Sequence, residues 1–341
     1  MFGRRPRTKT PDQVIAELAT VARQGFRSVF LVDDNFIGNK KAANELLKAV
    51  VVWQQANGYP VTIATEASLN LAEEPELMEL MREANVFSVF IGIESASAAS
   101  LLETRKVQNA RGDSIRARID RIRDHGIFVT GGFIIGFDND GPDVFDVQEA
   151  FINELRIAES AIGTLIALPG TPLYERLERE GRLRPEQPSC NFVPAQMTVD
   201  ELIDGTLRTN RAIFEPEVYF ERFFGATAGS ARLVEIVEAR RDASRSASPW
   251  RRLAVKAHAL LVGARFARAL GREGELRHLG GRYLQIYRDR GRHAGAASMP
   301  AAEFLIAAIK HWHRYKLYKD MAGGRGFVSG YAFTEHQKLA A

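Results

Sequence analysis

Cysteine is almost missing from this sequence: 341 residues contain one, Cys190. A lone thiol excludes an intrachain disulfide, and it excludes any metal or cluster site that needs two or more thiolates from the chain itself. Long hydrophobic runs are missing too. No stretch approaches the roughly eighteen uncharged apolar residues of a membrane-crossing helix, and the opening MFGRRPRTKTP has no apolar core behind its positive charges. Neither a transmembrane segment nor a secretory leader is expected. A reduced, cytoplasmic setting follows from both absences. With 45% hydrophobic and 26% charged residues, the composition excludes disorder, collagen and a disulfide scaffold.

The length suits two domains at about 150 residues each. The net charge of +4 hides an asymmetry. Residues 1–230 hold 25 Lys and Arg against 33 Asp and Glu, whereas residues 231–320 hold 19 against 8. Such a split points to two units with different surroundings. A basic region of this kind binds nucleic acid or anionic lipid, or is a set of solvated helices with scattered arginines.

The first 180 residues alternate between two patterns. Helical spacing over 11–24, with Thr10 as cap and Pro11 at the first turn, precedes a buried strand at 28–32. Helix–strand pairs follow: 39–56 and 60–65, 74–84 and 86–93, 112–124 and 127–135, 142–158 and 163–167, with a last helix at 172–180. Strand–helix units repeating at this length predict an α/β fold with a parallel sheet, as a partial (β/α) barrel over residues 1–185. The proline-bearing segment RLRPEQPSCNFVPAQM leaves the sheet. A mostly α-helical domain over 186–330 is predicted beyond it, with helices at 198–214, 216–224, 231–241, 250–270 and 300–320.

In parallel barrels the active site gathers at the carboxyl ends of the strands. Here those ends read Asp33-Asp34-Asn35-Phe36, Thr65-Glu66-Ala67-Ser68, Gly92-Ile93-Glu94-Ser95 and GGFIIGFD with Asp138. Acidic residues are depleted in strands, so a carboxylate after each of four apolar runs points to one shared polar cavity. Individually, Asp33 or Asp34 would serve equally as a helix cap, and Glu66 or Glu94 as the partner of a nearby arginine. Gly131, Gly132 and Gly136 fall in or beside an apolar strand. Glycine there marks a bulge or a close approach by another backbone or a ligand. GGFIIG opens no helix and is not a dinucleotide fingerprint. Asp138, Asp140 and Asp143 imitate part of a calcium loop, but Val147 stands where its glutamate belongs. His311 and His313, two apart on a helix, make a poor metal pair and are expected at the surface. Cys190 has no histidine or second cysteine nearby and is expected to be inert. Lys106, in KVQN, is placed to reach a carboxylate or phosphate, or to sit in a solvated loop.

The segments VFLVDDNFIGNKKAA, TIATEASLNLA, VFIGIESAS, KVQN, GGFIIGFDND and ALPGTPLYERLEREGRL, in this order, resemble the radical S-adenosylmethionine domain of cobalamin-binding radical enzymes, a group that includes bacterial hopanoid methylases. NFVPAQMTVDELIDGTLRTNRAIFEPEVYFER resembles that family's C-terminal domain of unknown function. The resemblance runs over roughly residues 1–225. It implies a six-stranded partial barrel that holds S-adenosylmethionine at its strand ends. Asp33 and Asp34 would lie near the methionine amino group, Glu94 near the ribose hydroxyls, and Glu66 and Ser68 along the same wall. Gly132, Ile134 and Gly136 would lie against adenine, and Lys106 would face the carboxylate.

One departure stands out. The family's 4Fe–4S cluster is held by CxxxCxxC, usually after a cobalamin domain, and neither occurs here. The opening FGRRPRTK resembles the stretch just downstream of that motif. The expectation is therefore a C-terminal portion, missing its first strand, that keeps the S-adenosylmethionine site but not the cluster ligands and is inactive alone. In the complete enzyme, the cluster and cobalamin would bring a radical and a methyl group to an unactivated carbon. Its substrate would be a small, lipid-like molecule, with peripheral membrane contact through the basic C-terminal helices and no nucleic acid. Two other readings stand beside it. Asp33, Asp34, Glu66, Glu94 and Asp138 as a Mg²⁺ site would make a hydrolase or phosphotransferase. A non-catalytic half of a split enzyme would bind a partner that supplies the missing N-terminal part.

Overall fold

The computed structural model describes residues 8–103, 113–186, 189–228, 249–272, 274–291 and 299–322. The chain divides into two compact units, the first ending at Thr206 and the second beginning at Leu207.

The first unit is built on five parallel strands in the order β1-β2-β3-β4-β5. They are β1 (Ser28–Leu31), β2 (Thr62–Glu66), β3 (Val86–Glu94), β4 (Phe128–Ile135) and β5 (Ser160–Thr164). Between them run α1 (Pro11–Arg23), α2 (Lys40–Ala56), α3 (Pro75–Glu83), α4 (Ala98–Glu103), α5 (Ile115–Asp124), α6 (Val144–Leu155) and α7 (Pro172–Arg179). Sequential strands lying side by side, each joined by a helix, make the half-barrel that the alternating pattern predicts. Local chemistry starts the helices, at or near the expected positions except at 112–124, where the helix begins three residues later. Thr10 and Gln13 form a reciprocal capping box ahead of α1, Asn39 caps α2, Ser114 caps α5 and Thr171 caps α7. The helices cover one face of the sheet. Val89, Ile91, Ile93 and Phe133 lie there fully or nearly fully buried, with Phe151 of α6 edge-on to Phe133 at 6.5 Å.

Two strands differ from expectation. The run 28–32 reads as buried, yet Phe30 is 48% and Val32 90% exposed. β1 is an edge strand with β2 on one side only, and β-branched composition alone does not separate edge from centre. The last strand begins three residues earlier than its apolar run suggests. The Leu165 amide still donates to the Ile135 carbonyl at 2.8 Å, and past it Asn191 takes over as a side-chain stand-in for a strand. Its Oδ1 accepts from the Ala167 amide at 2.8 Å and its Nδ2 donates to the Ala167 carbonyl at 2.7 Å. Leu165 and Ala167 are thus buried without being strand.

The C-terminal helices are α8 (Val199–Ile213), α9 (Pro216–Ala228), α10 (Pro249–Arg272), α11 (Leu279–Ile286) and α12 (Ala301–Ala322). The helix expected at 231–241 lies outside the described residues. In the second unit Phe214, Tyr219, Phe220, Phe304 and Tyr318 build an aromatic core. His311 sits inside it, which corrects its expected surface position: it is fully buried while His313 is exposed. The sequence gap of two puts them on different faces, and the aromatic residues around Phe214 decide which face is inside. His311 Nε2 lies 2.8 Å from the Phe214 carbonyl, and Nδ1 lies 2.7 Å from the Tyr283 hydroxyl. A carbonyl only accepts, so Nε2 carries the proton and Nδ1 accepts from Tyr283.

Burial pushes the His311 pKa down to about 4; the hydrogen bond to the Phe214 carbonyl and the charge of Glu217 oppose it, and the charges of Arg282 and Arg222 reinforce it. The folded protein therefore binds this proton less readily than the unfolded chain, whose histidine titrates near 6.5. Stability is lost as pH falls through that window. Denaturant unfolding is expected to show about 2 kcal/mol less stability at pH 5 than at pH 7 from this group alone. His311→Gln, which keeps a donor and an acceptor, should flatten that part of the pH profile.

Candidate functional site

Parallel sheets are normally covered on both faces. Here the face opposite the helices is half-exposed among the described residues, and strand register shows what it presents. Side chains alternate along a strand, so in-register partners form rows across a face. Glu66 pairs with Phe90 and Phe90 with Thr130. The next row toward the carboxyl ends is Gly92, Gly132 and Ala161, and beyond it Ile134 pairs with Gly163. A wall of bulkier and acidic residues on β2 and β3 thus adjoins a shallow floor of small ones.

The acidic corner forms where β1 and β2 end. Asp33 and Asp34 do not cap the following helix, since Asn39 does. Asp33 Oδ1 instead accepts from the Asn35 amide at 2.9 Å, tightening the turn. Asn35 Oδ1 accepts from the Ser68 amide at 3.0 Å, and the Phe36 amide donates to the Glu66 carbonyl at 2.9 Å. These bonds tie the first strand-end turn to the second and bring Asp33, Asp34, Glu66 and Ser68 together. Partial burial raises the Glu66 pKa above its usual 4.5, and the like charges of Asp34 and then Asp33 raise it further. Among the described residues no positive charge offsets these effects at Glu66, and the corner would gain from one.

Glu94 ends β3 with φ at 74°, a left-handed conformation that costs a non-glycine residue energy. The β3–β4 register slips between Gly92 and Glu94 at the same point. The irregularity expected near the glycines is therefore on β3, across from Gly132 and Phe133. Gly132 has an internal reason to be glycine. A Cβ there would come within 2.6 Å of the Phe90 ring, which leans over it on the open face. Ile134 is half-exposed on that face. Gly136 is different: its φ of 116° is open to glycine, and the Asp140 carboxylate accepts its amide at 2.8 Å and that of Phe137 at 3.0 Å. It shapes the loop after β4. Phe90 and Asn35 escaped the sequence reading. Phe90 stands in an apolar run like any core residue, and only the glycine two residues on and the register reveal its half-buried ring on the open face.

Lys106 lies outside the described residues. Asp138 belongs to an ion cluster. Arg182 binds it at 2.6 Å, Arg176 binds it and reaches Glu103 at 2.8 Å, and the Asp138 amide donates to Glu103 at 3.1 Å. Burial pushes the Asp138 carboxyl up, but hydrogen bonds from Arg182 and Arg176 outweigh it and hold the pKa below the usual range. This clip fastens the β4 loop to α4 and α7, so the carboxylate serves arginine and not a metal ion. Among the described residues no group of three or more His, Cys, Asp and Glu could hold a metal, which removes the support for the Mg²⁺ reading. Cys190 is fully buried, and burial raises its thiol pKa.

A carboxyl whose pKa is raised on folding binds its proton more readily folded than unfolded, so it lowers stability as pH climbs through 4.5. Glu66→Gln is therefore expected to be more stable than the natural protein at pH 7 and indistinguishable from it well below pH 4.5. Paired denaturant titrations at the two pH values check this.

Residues 1–149 match the family model for the Radical SAM superfamily, and residues 171–262 match a domain of unknown function, DUF4070. Hopanoid C-2 methylase of Rhodopseudomonas palustris (strain TIE-1) is 38% identical over 224 residues, 65% of this chain and 42% of that protein. An uncharacterized methyltransferase of Synechocystis sp. is 39% identical over 230 residues, again 65% of this chain and 42% of the relative. The chain thus spans under half the length of these relatives. Among solved structures, the radical S-adenosylmethionine methyltransferase TsrM from Kitasatospora setae aligns over 51% of this chain and 34% of its own, with a TM-score of 0.44 and 16% identity. Over residues 1–149 the chain is thus similar to proteins of the Radical SAM superfamily.

Proposed function

We propose that the first unit binds S-adenosylmethionine on the open face of its half-barrel, as the cofactor-binding portion of a cobalamin-dependent methyltransferase of this superfamily. The observation that carries this reading is the uncovered face itself. A parallel sheet half-exposed on one side, with an uncompensated acidic corner at its carboxyl edge, suits a ligand that is flat at one end and cationic at the other. S-adenosylmethionine has that form: a planar adenine, a ribose with two hydroxyls, and a sulfonium beside an ammonium.

The residues present fit it. Asp33, Asp34 and Glu66 offer negative charge to the ammonium and sulfonium, relieving the repulsion that raises the Glu66 pKa. The Glu94 carboxylate would accept from the ribose hydroxyls. Gly132, Ile134 and the Phe90 ring would supply a flat apolar bed for the base. Ser68 lines the acidic wall, and Gly136 holds the loop beyond the bed. When bound, S-adenosylmethionine supplies an activated carbon–sulfur bond. The chain positions it by charge at one end and shape at the other.

The 4Fe–4S cluster does not fit this chain. Cluster ligation needs several thiolates, and the lone Cys190 is buried with its sulfur 3.2 Å from the Phe192 carbonyl. The chain in this reading binds S-adenosylmethionine but performs no radical chemistry alone, and the cluster's ligands come from elsewhere.

Titration calorimetry on the full chain should show one S-adenosylmethionine per protein, weakened about tenfold in Glu94→Gln through loss of one charge-assisted hydrogen bond worth about 1.5 kcal/mol. Anaerobic addition of iron and sulfide should leave no stoichiometric cluster. Absence of binding, or binding untouched by Glu94→Gln, would overturn the site. A stoichiometric 4Fe–4S spectrum would overturn the exclusion.

A further inference from the structure

Among the described residues, helix α10 is packed on one side only, and its opposite face is uncovered. Phe266 stacks with Tyr283 and meets Trp312 edge-on, Leu270 is 6% exposed, and a Cβ on Gly263 would lie 3.5 Å from Leu305. On the opposite face Trp250, Leu253, Leu260 and Leu261 are 80%, 58%, 75% and 50% exposed. At about 100° per residue these four, with Ala257 and Ala264 between them, fall within one arc of roughly 100°. Trp250 to Leu261 spans about 17 Å along the axis at 1.5 Å per residue. Isolated exposed leucines are ordinary, whereas a continuous stripe that starts with tryptophan calls for a partner.

Charge identifies that partner. The 24 residues of α10 contain six Lys and Arg and no Asp or Glu. Beyond the apolar stripe, the same side of the helix continues with Arg265, Arg268 and Arg272, all exposed. A second copy docking here would bring one acid-free cationic face against another, an unfavourable pairing. A lipid surface matches both halves. Leucine side chains enter the boundary between headgroups and acyl chains, tryptophan prefers that depth, and arginines pair with phosphate. No described helix is long and apolar enough to cross a membrane, so any contact is peripheral.

We propose that α10 lies in the plane of an anionic membrane surface, with Trp250, Leu253, Leu260 and Leu261 inserted and Arg265, Arg268 and Arg272 on lipid phosphates. This does not depend on the cofactor site of the first unit. Binding adds the apolar area of the stripe to the attraction of each arginine for a negative surface, so both parts are needed.

Flotation of the full chain with vesicles tests it. Vesicles of phosphatidylcholine with one-third phosphatidylglycerol should carry the protein, and pure phosphatidylcholine should bind at least tenfold more weakly. The substitutions Leu260→Glu with Leu261→Glu, and separately Arg265→Glu with Arg268→Glu, should each weaken binding to the anionic vesicles at least tenfold. Both pairs are exposed, so thermal unfolding should stay unchanged. No flotation with anionic vesicles, or flotation indifferent to both double variants, overturns the proposal. So does self-association abolished by the Leu260 and Leu261 changes in place of vesicle binding, or a stronger affinity for single-stranded RNA than for the vesicles.

Discussion

Parallel pairing of strands imposes a geometry that antiparallel pairing does not: every strand ends at the same edge. With β1 to β5 all running one way, the turns after them are forced into one neighbourhood. Residues remote in sequence, such as Asp33 and Glu66, become electrostatic neighbours because backbone bonds align the strands beneath them. Helices on one face leave the other to be covered by something else. That one-sidedness makes the small-residue floor and the acidic corner a candidate site instead of a packed core.

Most of the architecture was legible because apolar runs separated by capped helices leave few alternatives. Thr10 announced its helix through a short-range hydrogen bond to the Gln13 amide that the sequence makes legible. The misreadings share a cause. Local pattern predicts a buried β1, a β5 three residues later than it lies and a surface His311. In each case a partner distant in the chain decides the outcome. Edge or centre depends on which strand pairs with Phe30. The end of β5 depends on Asn191, and the burial of His311 on Phe214 and Tyr283. Local periodicity carries none of that information.

The candidate site sorted in the same way. Carboxylates after strands were visible as residue types, but similar positions received opposite roles. Glu66 stands with Asp33 and Asp34 and without relief, whereas Asp138 is gripped by Arg176 and Arg182. Two arginines 38 and 44 residues downstream turn one strand-end acid into a structural fastener. The glycines followed suit. Gly132 yields to the Phe90 ring and Gly136 to a loop turned by Asp140, two reasons that one sequence motif cannot tell apart.

The central claim is that a cationic ligand completes the corner made by Asp33, Asp34 and Glu66. The most direct measurement is the Glu66 carboxyl titration, followed by carbon-13 NMR in the full chain with and without saturating S-adenosylmethionine. A positive centre arriving beside the three carboxylates must stabilise the ionised form, so the account predicts that the Glu66 pKa falls on binding. A Glu66 pKa that stays where it is, or rises, while the ligand is bound would contradict it.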